Sequence, residues 1–179
     1  ILASVAWSPV RGERPEIICE KLEERKARRL LCLDAVSDPG NVGSLLRAAD
    51  AFGMDGVLLG MGTVESTNPK VVRSAVGSLF SLPIVVEEVS LAPVLQQLQE
   101  EGWQVLRAEV RVGVSLSSVK PKAKWALLLG SEAHGVSGEL GGMGEAVHIG
   151  MRGAAESLNV AMAGGILLHG LTNERKPGI

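Results

Sequence analysis

Three glycine-bearing stretches hold the residues whose types and spacing suit chemistry. The first is Asp38-Pro39-Gly40-Asn41-Val42-Gly43-Ser44-Leu45-Leu46-Arg47-Ala48. Its glycines permit a sharp turn, Asn41 can cap a helix, and Arg47 falls on the second helical turn with a planar guanidinium able to grip a phosphate or carboxylate. By itself this pattern also fits a strand-to-helix turn with a surface arginine. The second is Gly130-Ser131-Glu132-Ala133-His134-Gly135. Glu132 is a charge in a place that calls for a partner or a ligand, whereas His134 reads as an exposed loop residue rather than a base. The third is Ile149-Gly150-Met151-Arg152-Gly153-Ala154-Ala155-Glu156-Ser157-Leu158-Asn159-Val160. A short strand, a glycine-containing loop and a serine at a helix start would give a pocket wall of free backbone amides and a capping hydroxyl.

The elements that must position these stretches follow from hydrophobic period. Apolar runs of strand length at Leu30 to Leu33, Gly56 to Leu59, Ile84 to Val86, Trp103 to Ala108, Trp125 to Leu129 and Val147 to Ile149 alternate with helical patterns. The helices are expected at Leu45 to Phe52, Lys70 to Leu79, Leu91 to Glu101 and Ser157 to about Leu171, with a serine-bearing loop around Ser115 to Pro121. That alternation predicts an α/β domain with a mainly parallel sheet and flanking helices. In such sheets ligands bind beyond the carboxyl ends of the strands, where the first two stretches lie. The last helix is apolar nearly all round, so more than one of its sides must be covered. Gly164 and Gly165 inside it should each cost up to about 1 kcal/mol relative to alanine, which close approach of another backbone, as at a subunit interface, would explain.

Composition bounds the rest. The chain of 179 residues, 46% of them apolar, has room for one domain with a proper core and not for two. Residues 1–28 are more charged and less periodic, and are expected to be a linker or the tail of a truncated N-terminal domain, with the main domain at 29–179. No signal-like segment opens the sequence, and its longest apolar stretch falls short of the ~20 residues a membrane span needs. A cytoplasmic protein is expected, with Cys19 and Cys32 as reduced thiols and no metal site. The formal charge of −2 counts against nucleic acid. Locally, however, the arginines and lysines from Arg11 to Arg29 form one basic cluster, and Lys120, Lys122 and Lys124 form another. Each fits a solvated face as well as a phosphate contact.

In order and spacing the three stretches, with Asn68-Pro69-Lys70-Val71-Val72-Arg73 between them, resemble the signature motifs of the SpoU (TrmH-type) branch of the SPOUT RNA methyltransferases. The resemblance runs from about Leu30 to Leu171. It implies an α/β fold whose C-terminal segment forms a trefoil knot, a homodimer with active sites at the interface, and S-adenosylmethionine held in the knot. None of these is readable from periodicity, and fold rules alone would exclude a knot. Residue by residue, the family's asparagine and arginine of the first motif fall on Asn41 and Arg47, and its glycine and glutamate of the second on Gly130 and Glu132. Its serine and asparagine of the third fall on Ser157 and Asn159. Backbone contacts to the cofactor are implied for Gly130, Ile149 and Leu158. One departure is Ile149-Gly150-Met151, where the family usually has proline in the middle, so the loop keeps its room and loses rigidity. Many relatives also carry an N-terminal RNA-binding domain, of which Ile1 to Trp7 would be the last strand.

The implied activity is transfer of a methyl group to a ribose 2′-hydroxyl of ribosomal or transfer RNA. Arg47 would hold the adjacent phosphate and stabilise charge developing on the hydroxyl oxygen, since an arginine does not give up its proton. Asn41, Glu132, Ser157 and Asn159 would orient Arg47, the ribose or the cofactor. A dinucleotide-binding dehydrogenase is excluded by the absence of G-x-G-x-x-G after the first strand. A non-catalytic RNA-binding relative is the alternative.

Overall fold

The structure is a computed structural model and describes residues 10–11, 14–86 and 90–173. In chain order the strands are β1 (Val10–Arg11), β2 (Arg29–Leu33), β3 (Gly56–Leu59), β4 (Ile84–Val86), β5 (Gln104–Ala108), β6 (Val114–Ser115), β7 (Trp125–Leu129) and β8 (Glu145–His148). The helices are α1 (Pro15–Glu24), α2 (Pro39–Ala51), α3 (Pro69–Ala75), α4 (Ala92–Glu100) and α5 (Val160–Thr172). The strands form one sheet in the order β1-β4-β3-β2-β7-β5-β8-β6, and every pairing is parallel. The mainly parallel α/β sheet with flanking helices is the one expected.

Period two along the central strands divides the core into two layers. Leu31 and Leu33 of β2, with Leu127 and Leu129 of β7, pack under α2, α3 and α5. Leu30 and Cys32, with Ala126 and Leu128, pack on the other face under α1 and α4. Both faces of β2 and β7 are covered, so these strands read as continuous apolar runs rather than alternating ones. The chain builds β2, β3 and β4 outward in one direction, crosses to β5, and returns to insert β7 between β2 and β5. The strand order therefore reverses at the β2–β7 pair, and the crevice at the carboxyl ends of these two strands is the favoured ligand position.

Several local expectations are corrected. The helix expected over Lys70 to Leu79 ends at Ala75, because Val76 and Gly77 turn into the left-handed region (φ 50° and 92°) before a short 3-10 turn at Ser78–Phe80. Asn41 does not cap α2. Asp38 does, its carboxylate accepting from the Asn41 amide at 2.8 Å. Likewise α5 starts at Val160 with Asn159 as its cap, and Ser157 stands outside the helix. Strand β8 runs from Glu145 to His148 rather than Val147 to Ile149, and the loop expected around Ser115 contributes the short strand β6. Before β2, α1 buries Ile18, Cys19 and Leu22 against the α4 layer, and β1 pairs with β4. Ile1 to Trp7 lie outside the described residues. The helix α5 is buried along Val160, Gly164, Leu167, Leu168 and Leu171 but leaves Met162 and Ile166 exposed. Within one chain it is thus covered on one side.

Candidate functional site

The carboxyl ends of β2 and β7 lie side by side, with Leu33 paired to Leu129. Immediately beyond them stand Asp34 and Gly130. Asp34 is almost fully buried, its amide donates to the Leu129 carbonyl at 2.8 Å, and its carboxylate accepts from the Ser137 amide at 2.6 Å. It therefore ties the loop after β7 to the end of β2. That loop closes on itself through Ser131 and Gly135, which exchange backbone hydrogen bonds at 2.8 and 2.9 Å. Only glycine fits at 130: a Cβ there would lie 2.1 Å from the Gly135 carbonyl carbon and 2.2 Å from its oxygen.

Residues from all three stretches meet above this loop. The Asn41 side-chain amide donates to Glu132 Oε1, and the Asn159 amide donates to Asn41 Oδ1 at 3.0 Å. Asn159 Oδ1 in turn accepts from the Ala161 and Met162 amides at 2.9 and 3.2 Å, capping α5. The direction of this chain is set at the α5 end, since the Ala161 and Met162 amides only donate. Neither asparagine can be flipped without losing a bond.

Next to this network a cleft of about 790 Å³, measured out to its open mouth, runs between the loops that follow β5, β7 and β8. Gly130, Glu132, Ile149, Ser157 and Leu158 all line it, as do Glu109 and Arg111. The structure thus brings together seven of the eight residues singled out from the sequence. The eighth, Arg47, stands apart. It is six residues beyond Asn41, about 120° away around the helix axis, exposed, and absent from the cleft wall. Its side chain has no partner among the described residues. His134 is exposed, as expected.

Four residues of the site were not singled out from the sequence. Asp34 anchors the second-motif loop. Arg107 ties two walls together, donating to Glu109 at 2.9 Å and to the Met143 carbonyl at 2.5 Å. Arg111 reaches across the cleft to the Ala155 carbonyl at 3.3 Å, holding the third-motif loop. The signal available for them was position: Asp34 and Glu109 directly follow the apolar strands β2 and β5. Applying the carboxyl-end rule to every central strand, rather than to glycine-rich turns alone, would have found both.

The cleft suits S-adenosylmethionine. Leu129, Ile149 and Leu158 offer apolar surface, Glu109, Glu132 and Arg111 supply both signs of charge, and Gly130 lets the loop after β7 close tightly beside them. Among the described residues no group of three or more His, Cys, Asp or Glu side chains is placed to hold a metal ion, and no helix is long and apolar enough to cross a membrane. Burial pushes the Cys19 and Cys32 thiols up to about 12, so neither is a nucleophile at neutral pH.

Residues 28–169 match the model of the SpoU rRNA Methylase family. The chain is 38% identical over 157 residues to the 23S rRNA (guanosine(2553)-2′-O)-methyltransferase RlmP of Bacillus subtilis, the match covering 86% of this chain and 62% of that protein. A solved structure of a TrmH-family RNA methyltransferase from Porphyromonas gingivalis superposes with a TM-score of 0.75 at 36% identity, over 80% of this chain and 59% of that one. An AdoMet-bound rRNA methyltransferase from Sinorhizobium meliloti gives 0.74 at 32% identity, over 80% of this chain and 55% of that one. The chain therefore spans less than two thirds of the length of these relatives.

Proposed function

The chain belongs to the SpoU rRNA Methylase family, and from that premise we propose that it transfers a methyl group from S-adenosylmethionine to a ribose 2′-hydroxyl of ribosomal or transfer RNA. The observation that carries this reading is the cleft at the β2–β7 switch point with the Glu132–Asn41–Asn159 chain beside it. When bound, S-adenosylmethionine supplies a methyl carbon on a positively charged sulfur, an electrophile that needs no activation. Transfer to a ribose oxygen would leave that sulfur as a neutral thioether and release the hydroxyl proton to solvent.

The protein's part is then position and charge. Backbone at Gly130, Ile149 and Leu158 holds the cofactor in the cleft. Glu132 is fixed by Asn41, Asn41 by Asn159, and Asn159 by the start of α5, so the wall facing the ribose is set before substrate arrives. Arg47 stabilises the charge that develops on the hydroxyl oxygen and grips the neighbouring phosphate. Because Arg47 is exposed and off the cleft wall of its own chain, it serves the cleft of a second copy. The active unit is a homodimer, with the uncovered Met162 and Ile166 of α5 contributing to the contact. The C-terminal segment from β8 to α5 is threaded as a trefoil knot around that cleft.

Calorimetry of S-adenosylmethionine with the purified protein, followed by methyl incorporation into ribosomal and transfer RNA mapped by nucleotide, tests this reading. Cofactor binding with transfer to a single ribose is the expected result. Absence of cofactor binding at millimolar concentration would leave a non-catalytic RNA-binding relative.

A further inference from the structure

The two basic clusters of the sequence come apart and recombine in the fold. Of the three lysines near residue 120, Lys124 is committed to structure: its ammonium pairs with Glu23 at 2.8 Å and lies 5.9 Å from the centre of the Trp103 ring. Lys120 and Lys122 turn the other way. With Arg29, from the far end of the first cluster, and with Arg152 and His169, they line a second groove of about 2340 Å³ measured to its open mouth. This groove lies between the loop that leads into β7 and the C-terminal half of α5.

Its charge is one-sided. Among the described residues no aspartate or glutamate lines it, although the chain holds 20 acidic residues against 18 lysines and arginines. The side chains of Arg29, Lys120, Lys122 and Arg152 have no hydrogen-bond or ion-pair partner among the described residues. Four cations around one concavity, with no acidic side chain among the described residues of its wall, repel one another, and an anionic polymer relieves that cost. Hydroxyls of Ser115, Ser117 and Ser118 stand on the same wall, and hydroxyls and cations together are the usual donors to phosphate and ribose oxygens. The groove also adjoins the cofactor cleft, since Ile149 and Met151 line both.

We propose that this groove seats the phosphodiester backbone of the substrate RNA away from the target nucleotide, so that the strand passes over Ile149 and Met151 into the cleft. The inference rests on the reading of the chain as an RNA methyltransferase, and it locates the affinity that a net-negative protein needs.

The test is the double variant Lys120→Gln with Lys122→Gln, both exposed and outside the cofactor cleft, compared with the parent by fluorescence anisotropy on a uridine oligonucleotide over a salt series. Losing two phosphate contacts should flatten the slope of log affinity against log salt by about 1.4, two contacts at about 0.7 each for single strands. Cofactor affinity by calorimetry should not change. Lys124→Gln, which removes one such charge from outside the groove, should leave the slope unaltered. An unaltered slope in the double variant, with cofactor binding and RNA methylation intact, overturns the groove and leaves the proposed function standing. Loss of dimer in the double variant at unchanged RNA affinity would make the groove a contact between copies, and likewise overturns it. A parent protein that binds cofactor but no RNA overturns both readings.

Discussion

The side-chain amide of Asn159 donates to Asn41 Oδ1 at 3.0 Å, across 118 residues of chain. This bond joins the first residue before α5 to the first turn of α2, and through Asn41 it reaches Glu132 after β7. One asparagine thus has two tasks, capping a helix with its oxygen and fixing the site with its nitrogen. The tasks can be separated.

Asn159→Ala removes both. Loss of a side-chain cap costs about 1 kcal/mol, and for a domain of this size that lowers Tm by roughly 2–4 °C. Asn159→Asp keeps the oxygen that accepts from Ala161 and Met162 but cannot donate to Asn41. It should melt close to the parent while methyl transfer falls. Thermal melts and turnover measured on the same samples decide this, and equal losses of stability in both variants would show that the Asn41 bond, not the cap, carries the stability.

Asn41→Asp places a second carboxylate against Glu132 where an amide donor stood. Two carboxylates at hydrogen-bond distance cannot both ionise cheaply, so one of them acquires a folded-state pKa above its unfolded value near 4. A raised folded pKa contributes stability below the unfolded pKa and loses it as pH rises through the folded one. The deficit of Asn41→Asp relative to the parent should therefore be largest at neutral pH and shrink on acidification. Urea midpoints at several pH values measure it, and a deficit independent of pH would mean that the two side chains do not face each other.

How far the sequence reached can be argued from these same residues. The strands β2 and β7 were legible because both faces are covered and their runs are unbroken, and Gly130 and Glu132 were legible by position after β7. The caps were not. Asp38 and Asn41, like Ser157 and Asn159, are all competent capping residues a few positions apart, and propensity does not choose among them; the direction in which the loop enters the helix does. The left-handed turn at Val76 was hidden because a β-branched residue rarely adopts it. Nor did the sequence show that Arg47 leaves its own cleft. Spacing placed it on α2, and only the structure reveals that it stands off the cleft wall.

Gly164 and Gly165 were expected to share one reason, close approach of a backbone. They differ. A Cβ on Gly164 would lie 2.3 Å from Leu45 Cδ2 and 2.8 Å from Leu129 Cδ1, so this glycine makes room for side chains of its own chain, whereas a Cβ on Gly165 meets nothing within 4 Å. Gly164→Ala should destabilise the subunit by about 1–3 kcal/mol through overpacking. Gly165→Ala should raise helix propensity by up to about 1 kcal/mol and leave the subunit no less stable. If the partner's helix closes on that face, as the exposed Met162 and Ile166 indicate, Gly165→Ala should instead weaken the dimer. Sedimentation at several concentrations reads this directly, and unchanged association in Gly165→Ala and Ile166→Glu alike would remove α5 from the interface.

Arg47 separates chemistry from cofactor binding, and it also tests whether two chains build one site. Arg47→Ala should leave cofactor affinity within about twofold and lower methyl transfer at least 100-fold, on the order of the 2.7–4 kcal/mol measured for removing one preorganised donor to developing charge. Arg47→Lys should restore little, because an ammonium lacks the planar fork that holds two oxygens. Gly130→Ala should fail differently, losing the cofactor because its Cβ displaces the Gly135 backbone 2.1 Å away. Mixing the two inactive proteins under conditions of subunit exchange then gives a hybrid dimer. If Arg47 serves the partner's cleft, the hybrid has one complete site, the intact cleft of the Arg47→Ala chain with the arginine of the Gly130→Ala chain, and activity returns to about half per hybrid dimer. If Arg47 serves its own cleft, neither site in the hybrid is complete. A mixture that exchanges subunits and stays inactive would return Arg47 to its own chain, and near-normal turnover of Arg47→Ala alone would remove it from the chemistry altogether.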